Sequence, residues 1–474
     1  MRERTRGPVR WPPEAWIPLL AGLFWLWRAP GHGLVGFLFS VIPGCLLLGS
    51  GVSMLLMSGD RRISEFAALG GALGVVFAVP ALFAVGPLAG LLLALASAAS
   101  FVAAGLHSLG LETPVSEVPA AERSAALGAQ VAVDEALLGA MHVTLPLPNG
   151  AGNDRIADEV RLALELFRDR GWLEKPAEFH RAPPPLVDPL LKRARVRNLD
   201  FEHLSFESDY EPHADEPGRD RWLSYAANRR AHAWVVRDPV RPRPWLICIH
   251  GFQMGWPLID LTAFPPEYFH RRLGMNLLLP VLPLHGRRKV GRRSGDGFIA
   301  GDALDTIHAE AQAMWDIRRL LAWVRGQEAP AVGVIGLSLG GYNAALLASL
   351  DADLACAIPG IPLTDFTRVI YRHAPPLHLS DAISKGLSQE AVRKLKRVIS
   401  PLDLEPRVPK ERRAIFGAVA DRLVPPDQVR DLWVHWDRPR IVWYQGGHLT
   451  FRAHAPVRRL VRQTLGEAGL TLEA

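Results

Sequence analysis

Ala331-Val332-Gly333-Val334-Ile335-Gly336-Leu337-Ser338-Leu339-Gly340-Gly341-Tyr342-Asn343-Ala344-Ala345-Leu346-Leu347-Ala348-Ser349-Leu350 decides the fold. Residues 331–335 are short, apolar and β-branched, which predicts a buried strand. Residues 342–350 are rich in Ala and Leu, which predicts a helix. Between them stands Ser338, with Gly336 two positions before and Gly340 two positions after. A strand-to-helix turn of this kind lifts a serine hydroxyl into the open, where the helix N-terminus can stabilise developing negative charge. The glycines have a physical reason, because strand and helix come too close there for side chains. The plainer alternative is a Gly/Ser turn in a parallel sheet.

Working outward, strands alternate with helices from about residue 197, which predicts a mostly parallel sheet covered on both faces. Residues 231–236, 245–249, 276–279, 355–359, 414–419 and 440–444 read as strands, and 303–325 as a helix. A serine of ordinary pKa needs a base, and the base needs a group that fixes its tautomer. Asp421 follows the strand at 414–419, and His448 follows the last strand after Gln445-Gly446-Gly447. Both fall just beyond the C-terminal ends of strands, where open α/β sheets gather their sites. Asp403 and Asp427 compete with Asp421, which also has a reading as a simple turn aspartate. His448 has the competing reading of an ordinary loop histidine.

The chain order Ser, Asp, His, the Gly-x-Ser-x-Gly-Gly motif, the His250-Gly251 after an early strand and the Gly446-Gly447-His448 together resemble the α/β-hydrolase superfamily. The resemblance covers roughly residues 197–474. It implies Ser338 as nucleophile, His448 as general base and acid, and Asp421 as the orienting carboxylate. It also implies an oxyanion hole from the backbone N–H groups of Leu339 and Phe252. His250 lies too early in the chain for the base in this order and is expected to brace the oxyanion turn. The motifs recur across esterases, lipases, peptidases and acyltransferases. The Gly-Gly-Tyr ending of the elbow also resembles prolyl-oligopeptidase-like domains, although no propeller-sized repeat region accompanies it.

Two features bear on substrate. Residues 363–413 lie between two strands, where such domains often carry a lid. Within them Ser388 is placed to cap a helix over 389–399, with Val392, Leu395 and Val398 or Ile399 on one face and Arg393, Lys394, Lys396 and Arg397 on others. That pattern suits an interfacial lid meeting anionic headgroups, or an ordinary helix packed on the sheet. The loop at 285–293 carries Arg287, Arg288, Lys289, Arg292 and Arg293. It reads as a solvated loop, or as a site for an acidic group or a membrane surface.

The first 110 residues read as membrane material. No Asp, Glu, Lys or Arg occurs between Arg28 and Asp60, nor from Phe66 to Leu109. A span needs about 20 residues, so the second run holds two helices, broken naturally at Gly86-Pro87. Residues 16–27, interrupted by Pro18 and rich in Trp, form a shorter candidate for a span or an interfacial anchor. Three or four spans are expected. Arg2, Arg4, Arg6 and Arg10 on one side and Arg61 and Arg62 in the next charged loop favour four, with a cytoplasmic catalytic domain. Gly70-xxx-Gly74 suggests a close helix–helix contact. Residues 111–196 read as a connector, with an amphipathic helix at 154–172 and a stiff Pro183-Pro184-Pro185.

The bulk numbers fit this division. At 474 residues and 49% apolar there is material for a large core plus a further module. Cys45, Cys248 and Cys356 sit in apolar runs, which suggests buried thiols in a reducing compartment rather than a disulfide or metal site. A net charge of +6, with no aromatic-basic repeat, gives no sign of nucleic-acid binding. The expectation is a membrane-anchored serine hydrolase that acts on a small-molecule or lipid ester without metal or organic cofactor, in an oligomeric state the residues leave open. A peptidase or acyltransferase of the same fold, or a non-catalytic hydrolase-fold binding or scaffold protein, are the alternatives.

Overall fold

The computed structural model describes residues 12–28, 33–57, 59–299 and 301–471. The chain forms two compact units. One contains Met1–Thr144 with Ala418–Pro426 and Trp443–Ala453; the other contains Leu145–Gly417, Asp427–Val442 and His454–Ala474.

The first unit is helical: α1 (Trp16–Arg28), α2 (Gly33–Leu56), α3 (Arg62–Ala84), α4 (Pro87–Leu111) and α5 (Ala125–Thr144). Among the described residues three helices are long and apolar enough to cross a membrane: Gly36–Leu56, Arg62–Ala84 and Pro87–Leu111. Pro87 starts α4 directly after Gly86, whose φ of 93° only glycine adopts readily, so the apolar run breaks there. The stretch considered for a fourth span becomes α1. Its 13 residues reach only about 20 Å, short of the roughly 30 Å hydrocarbon core. The arginines at positions 2, 4, 6 and 10 lie outside the described residues.

α1 packs closely at Gly22, where a β-carbon would lie 2.3 Å from Leu48 N, and carries a buried polar tie, the Trp25 Nε1–H donating to Ser97 Oγ at 2.9 Å. The Gly70 and Gly74 pair does mark close approach, but to two neighbours rather than along one seam. A β-carbon on Gly70 would sit 2.9 Å from Leu46 Cβ of α2, and one on Gly74 would sit 2.8 Å from Ser97 Cβ of α4. Elsewhere these helices turn large apolar side chains outward, among them Leu56, Phe83 and Leu88, each more than 70% exposed.

The second unit is built on a nine-stranded sheet of order β1-β2-β3-β5-β4-β6-β7-β8-β9. The strands are β1 (Leu190–Val196), β2 (Leu199–Glu207), β3 (Arg230–Val236), β4 (Trp245–Ile249), β5 (Asn276–Val281), β6 (Val332–Leu337), β7 (Ala357–Gly360), β8 (Ala414–Ala418) and β9 (Arg440–Tyr444). β1, β2, β3 and β5 pair antiparallel in that succession, whereas β5-β4-β6-β7-β8 run parallel. Every residue of β4 through β8 is buried, as continuous apolar runs covered on both faces require. With the serine turn after β6, this is the α/β-hydrolase fold.

β1 and β2 were not legible as strands, because Lys192, Arg193, Arg195, Asp200 and Glu202 mask the alternation. They extend the sheet to an edge whose charged side chains discourage further pairing. α6 (Ala151–Asp169) takes the place expected for the amphipathic helix and buries Ile156, Val160, Ala163 and Phe167. These join Leu304 and Ile307 of the helix Ala303–Arg325 and Val392, Leu395, Val398 and Ile399 in one core cluster. The proposed interfacial face at 389–399 is therefore covered by protein. Ser388 caps the helix Gln389–Leu395 by accepting from the Ala391 N–H at 3.1 Å, as its sequence position suggests.

Candidate active site

Ser338 sits between β6 and the helix Leu339–Leu350 with φ 57° and ψ −114°, outside the ordinary regions for a residue with a side chain. The glycines that fence it are obligatory. A β-carbon on Gly336 would lie 1.9 Å from the carbonyl oxygen of Gly340, and one on Gly340 would lie 2.0 Å from that of Ile249 in β4. The turn is held by the Ser338 N–H donating to Gly360 O at 2.9 Å and by Tyr342 N–H donating back to Ser338 O at 3.0 Å. Ser338 itself stays partly exposed while its neighbours are buried.

The turn after β4 comes against this elbow. A β-carbon on Gly251 would sit 3.6 Å from Ser338 Cβ and 3.3 Å from Leu337 O. Phe252, the predicted second oxyanion donor, is the next residue, and Leu339 begins the helix whose first N–H groups lack intrahelical acceptors. His250 is buried and wholly engaged: Nδ1 bonds Gly251 O at 2.8 Å, and Nε2 accepts from the Leu282 N–H at 3.1 Å. One bond fixes the tautomer required by the other, so His250 ties the β4 turn to the end of β5.

Asp421 and His448 belong to the first unit, in the loops that follow β8 and β9. The structure brings them together: His448 Nδ1 lies 2.6 Å from Asp421 Oδ2, with both side chains buried. Asp421 Oδ1 accepts from the Val424 N–H at 2.8 Å, which fixes the carboxylate plane toward the imidazole. Burial draws the His448 pKa down, but the Asp421 charge, its hydrogen bond and the Asp134 charge together raise it above the ordinary value. The competitors are used elsewhere. Asp427 receives Arg368 at 3.0 Å, and Asp403 receives Arg397 at 2.8 Å.

Sequence reasoning missed Asp134. It lies on α5, is fully buried, and its Oδ2 accepts from the backbone N–H of His448 at 2.9 Å and of Arg422 at 3.2 Å. Burial and the neighbouring Asp421 push its carboxyl up to about 7. Nearby, Ser108 of α4 donates to Glu135 of α5, and the Arg422 Nε–H donates to Ser108 Oγ at 2.9 Å. An Asp inside a region read as a connector carries no local motif. The only available signal was an acidic pair, Asp134-Glu135, between apolar residues on a helical stretch.

The basic loop is split in use. Arg288 is fully buried, bonded to Val281 O at 3.0 Å, Asn228 O at 3.1 Å and Asp316 at 2.8 Å, so it builds structure. Arg287, Lys289, Arg292 and Arg293 are exposed.

No family model matches the chain. Two uncharacterised proteins of Mycobacterium tuberculosis strains are each 44% identical to it over 356 residues, spanning 75% of this chain and 85% of the relative. Among solved structures it is similar to acetyl xylan esterase 1 of Thermoanaerobacterium sp. (17% identity, TM-score 0.43, 63% of this chain and 98% of that one). It is also similar to an acetyl xylan esterase of Paenibacillus sp. (19%, 0.43, 68% and 98%) and to Pyrococcus horikoshii acylaminoacyl peptidase (14%, 0.36, 59% and 40%).

Proposed function

We propose, for a chain that belongs to the family of the two uncharacterised mycobacterial proteins, that it is a membrane-anchored serine hydrolase cleaving a carboxylic ester through an acyl-enzyme. The observation that carries this reading is the strained, glycine-fenced Ser338 at a helix N-terminus. The 2.6 Å Asp421–His448 pair, in the chain order Ser, Asp, His, supports it.

In this reading Ser338 Oγ attacks the ester carbonyl carbon as its proton passes to His448 Nε2. The carbonyl oxygen becomes an anion received by the N–H groups of Leu339 and Phe252. Collapse breaks the bond to the alcohol, which leaves with the proton from His448. Water, deprotonated by the same imidazole, then releases the carboxylic acid and restores Ser338. Asp421 keeps Nδ1 protonated and stabilises the imidazolium.

The three long apolar helices support anchoring in a bilayer, and a lipid-like ester fits that location. Three spans separate the N-terminal arginines from Arg61 and Arg62, which share a face with everything after residue 111; our reading takes that second face as the cytoplasmic one. A reporter fused after residue 474 tests it: an enzyme active only outside the cytoplasm would reverse the orientation.

The decisive test uses the detergent-solubilised full chain and a fluorophosphonate probe. Wild type is expected to label and Ser338→Ala is not; undiminished labelling of the variant removes Ser338 as nucleophile. Nitrophenyl esters of short and long chain beside aminoacyl amides separate esterase from peptidase. An unreactive wild type would favour a binding or scaffold role.

A further inference from the structure

We propose that Asp134, on the helix next to the apolar bundle, is a positioning residue for the catalytic pair, so that the helix after the apolar spans supports the catalytic machinery. The inference rests on the hydrolase reading above and extends it to a residue outside the motifs.

The geometry is specific. One carboxylate oxygen, Asp134 Oδ2, accepts from two backbone amides on two different loops: Arg422, directly after Asp421, and His448 itself. These loops follow neighbouring strands and pair directly at their start, the Val419 N–H donating to Tyr444 O at 3.0 Å and the Ala420 N–H to Gly446 O at 3.2 Å, but Arg422 and His448 lie beyond that pairing. A single acceptor shared by Arg422 and His448 continues the tie past that pairing, to the residues that carry the catalytic pair. The site is tight: a β-carbon on Gly447 would lie 2.9 Å from Asp134 Oδ2, so that glycine lets the loop reach the carboxylate. The helix offering Asp134 is itself fixed. Leu127 and Val131 of α5 pack on Val419 and Ala420, and Arg422 is tied to Ser108 of α4.

Asp134 also acts through its charge. The groups around it are Asp421, Arg422 and His448 from the two loops, Tyr444 at the end of β9 and Glu135 from α5, with Glu65 of α3 beyond Glu135. Tyr444 donates its hydroxyl to Gly447 O at 3.1 Å, and Arg422 lies 3.9 Å from Glu135. Asp134 therefore presents its carboxylate to the backbone side of His448, while Asp421 takes the ring. As an anion it favours the protonated imidazole; its removal favours the neutral base.

Two variants separate the two roles. Asp134→Asn keeps an oxygen acceptor and loses the charge. It is expected to retain reactivity toward the fluorophosphonate within about threefold at its optimum, with the acid limb of the pH–rate profile moved to lower pH. Asp134→Ala loses both and is expected to lower kcat on a nitrophenyl ester about 100-fold, with KM within about twofold. A role in folding alone would lower the yield of active protein without moving the pH limb of Asp134→Asn. An unmoved limb in Asp134→Asn, or unchanged kcat in folded Asp134→Ala, overturns the proposal. If Ser338→Ala still labels, the hydrolase reading fails instead. If Ser338→Ala is silent while both Asp134 variants behave as wild type, that reading stands and this one falls.

Discussion

Ser338 holds a backbone conformation worth on the order of 1–3 kcal/mol of strain, retained because the surrounding packing over-determines it. Gly340→Ala removes that tolerance, since its new β-carbon would meet the Ile249 carbonyl; a lowered melting temperature and lost probe labelling are expected, at a cost of roughly 1–3 kcal/mol or more. Asp421→Asn leaves a group of the same size beside His448 but no longer favours the required tautomer. A loss of kcat of up to about 10⁴-fold is expected, with KM little changed. The raised His448 pKa fixes the sign of the pH effect on rate. On the proposed mechanism His448 must be neutral to act as base, so activity is expected to rise with pH through a value above the ordinary 6.5 and to be lost below it. Stability runs the other way. The fold favours the imidazolium, so this contribution is fully present below the unfolded pKa and disappears as pH climbs through the folded one. Asp134, whose carboxyl is raised to about 7, adds a term of the same sign, present below its unfolded pKa of 3.8 and lost as pH rises toward 7. Thermal melts between pH 4 and 8 should therefore decline less in Asp134→Asn than in wild type.

Among the elements, the helix Gln389–Leu395 shows how amphipathicity alone leaves a partner undecided. Its pattern fits a membrane surface and a protein core equally, and the structure supplies α6 and the helix Ala303–Arg325 as the core. Leu395 is fully buried in that cluster, so Leu395→Ala is expected to cost about 2–5 kcal/mol in denaturant unfolding. The cations offered to lipid are partly consumed: Lys396 is buried over the Phe366 ring, and Arg397 pairs with Asp403. The basic loop repeats the lesson, for Arg288 and Asp316 form a buried pair that cannot be told from its exposed neighbours by composition. Removing one partner, as in Arg288→Ala, leaves a buried charge and should cost about 3–5 kcal/mol. β1 and β2 illustrate the converse. An edge pair with one solvated face carries charges that break the apolar signal, so only its register against β3 reveals it.

For the whole molecule, the apolar helices between residues 36 and 111 predict that the chain stays with membranes after carbonate extraction and leaves only with detergent. The sequence by itself determined the parts governed by local periodicity and steric exclusion: three long apolar helices, the buried parallel strands, and a serine that only glycines could fence. It also marked Asp421 and His448, because strand ends punctuated by turn residues are local features. What only the tertiary structure decided was which distant groups share a buried space. Asp134 meets His448, Arg288 meets Asp316, and the helix at 389–395 meets α6 for that reason. A buried polar atom must find a partner, and many partners in a chain of 474 residues satisfy that demand equally on paper. Chain folding selects one, and no residue's immediate neighbours record the choice.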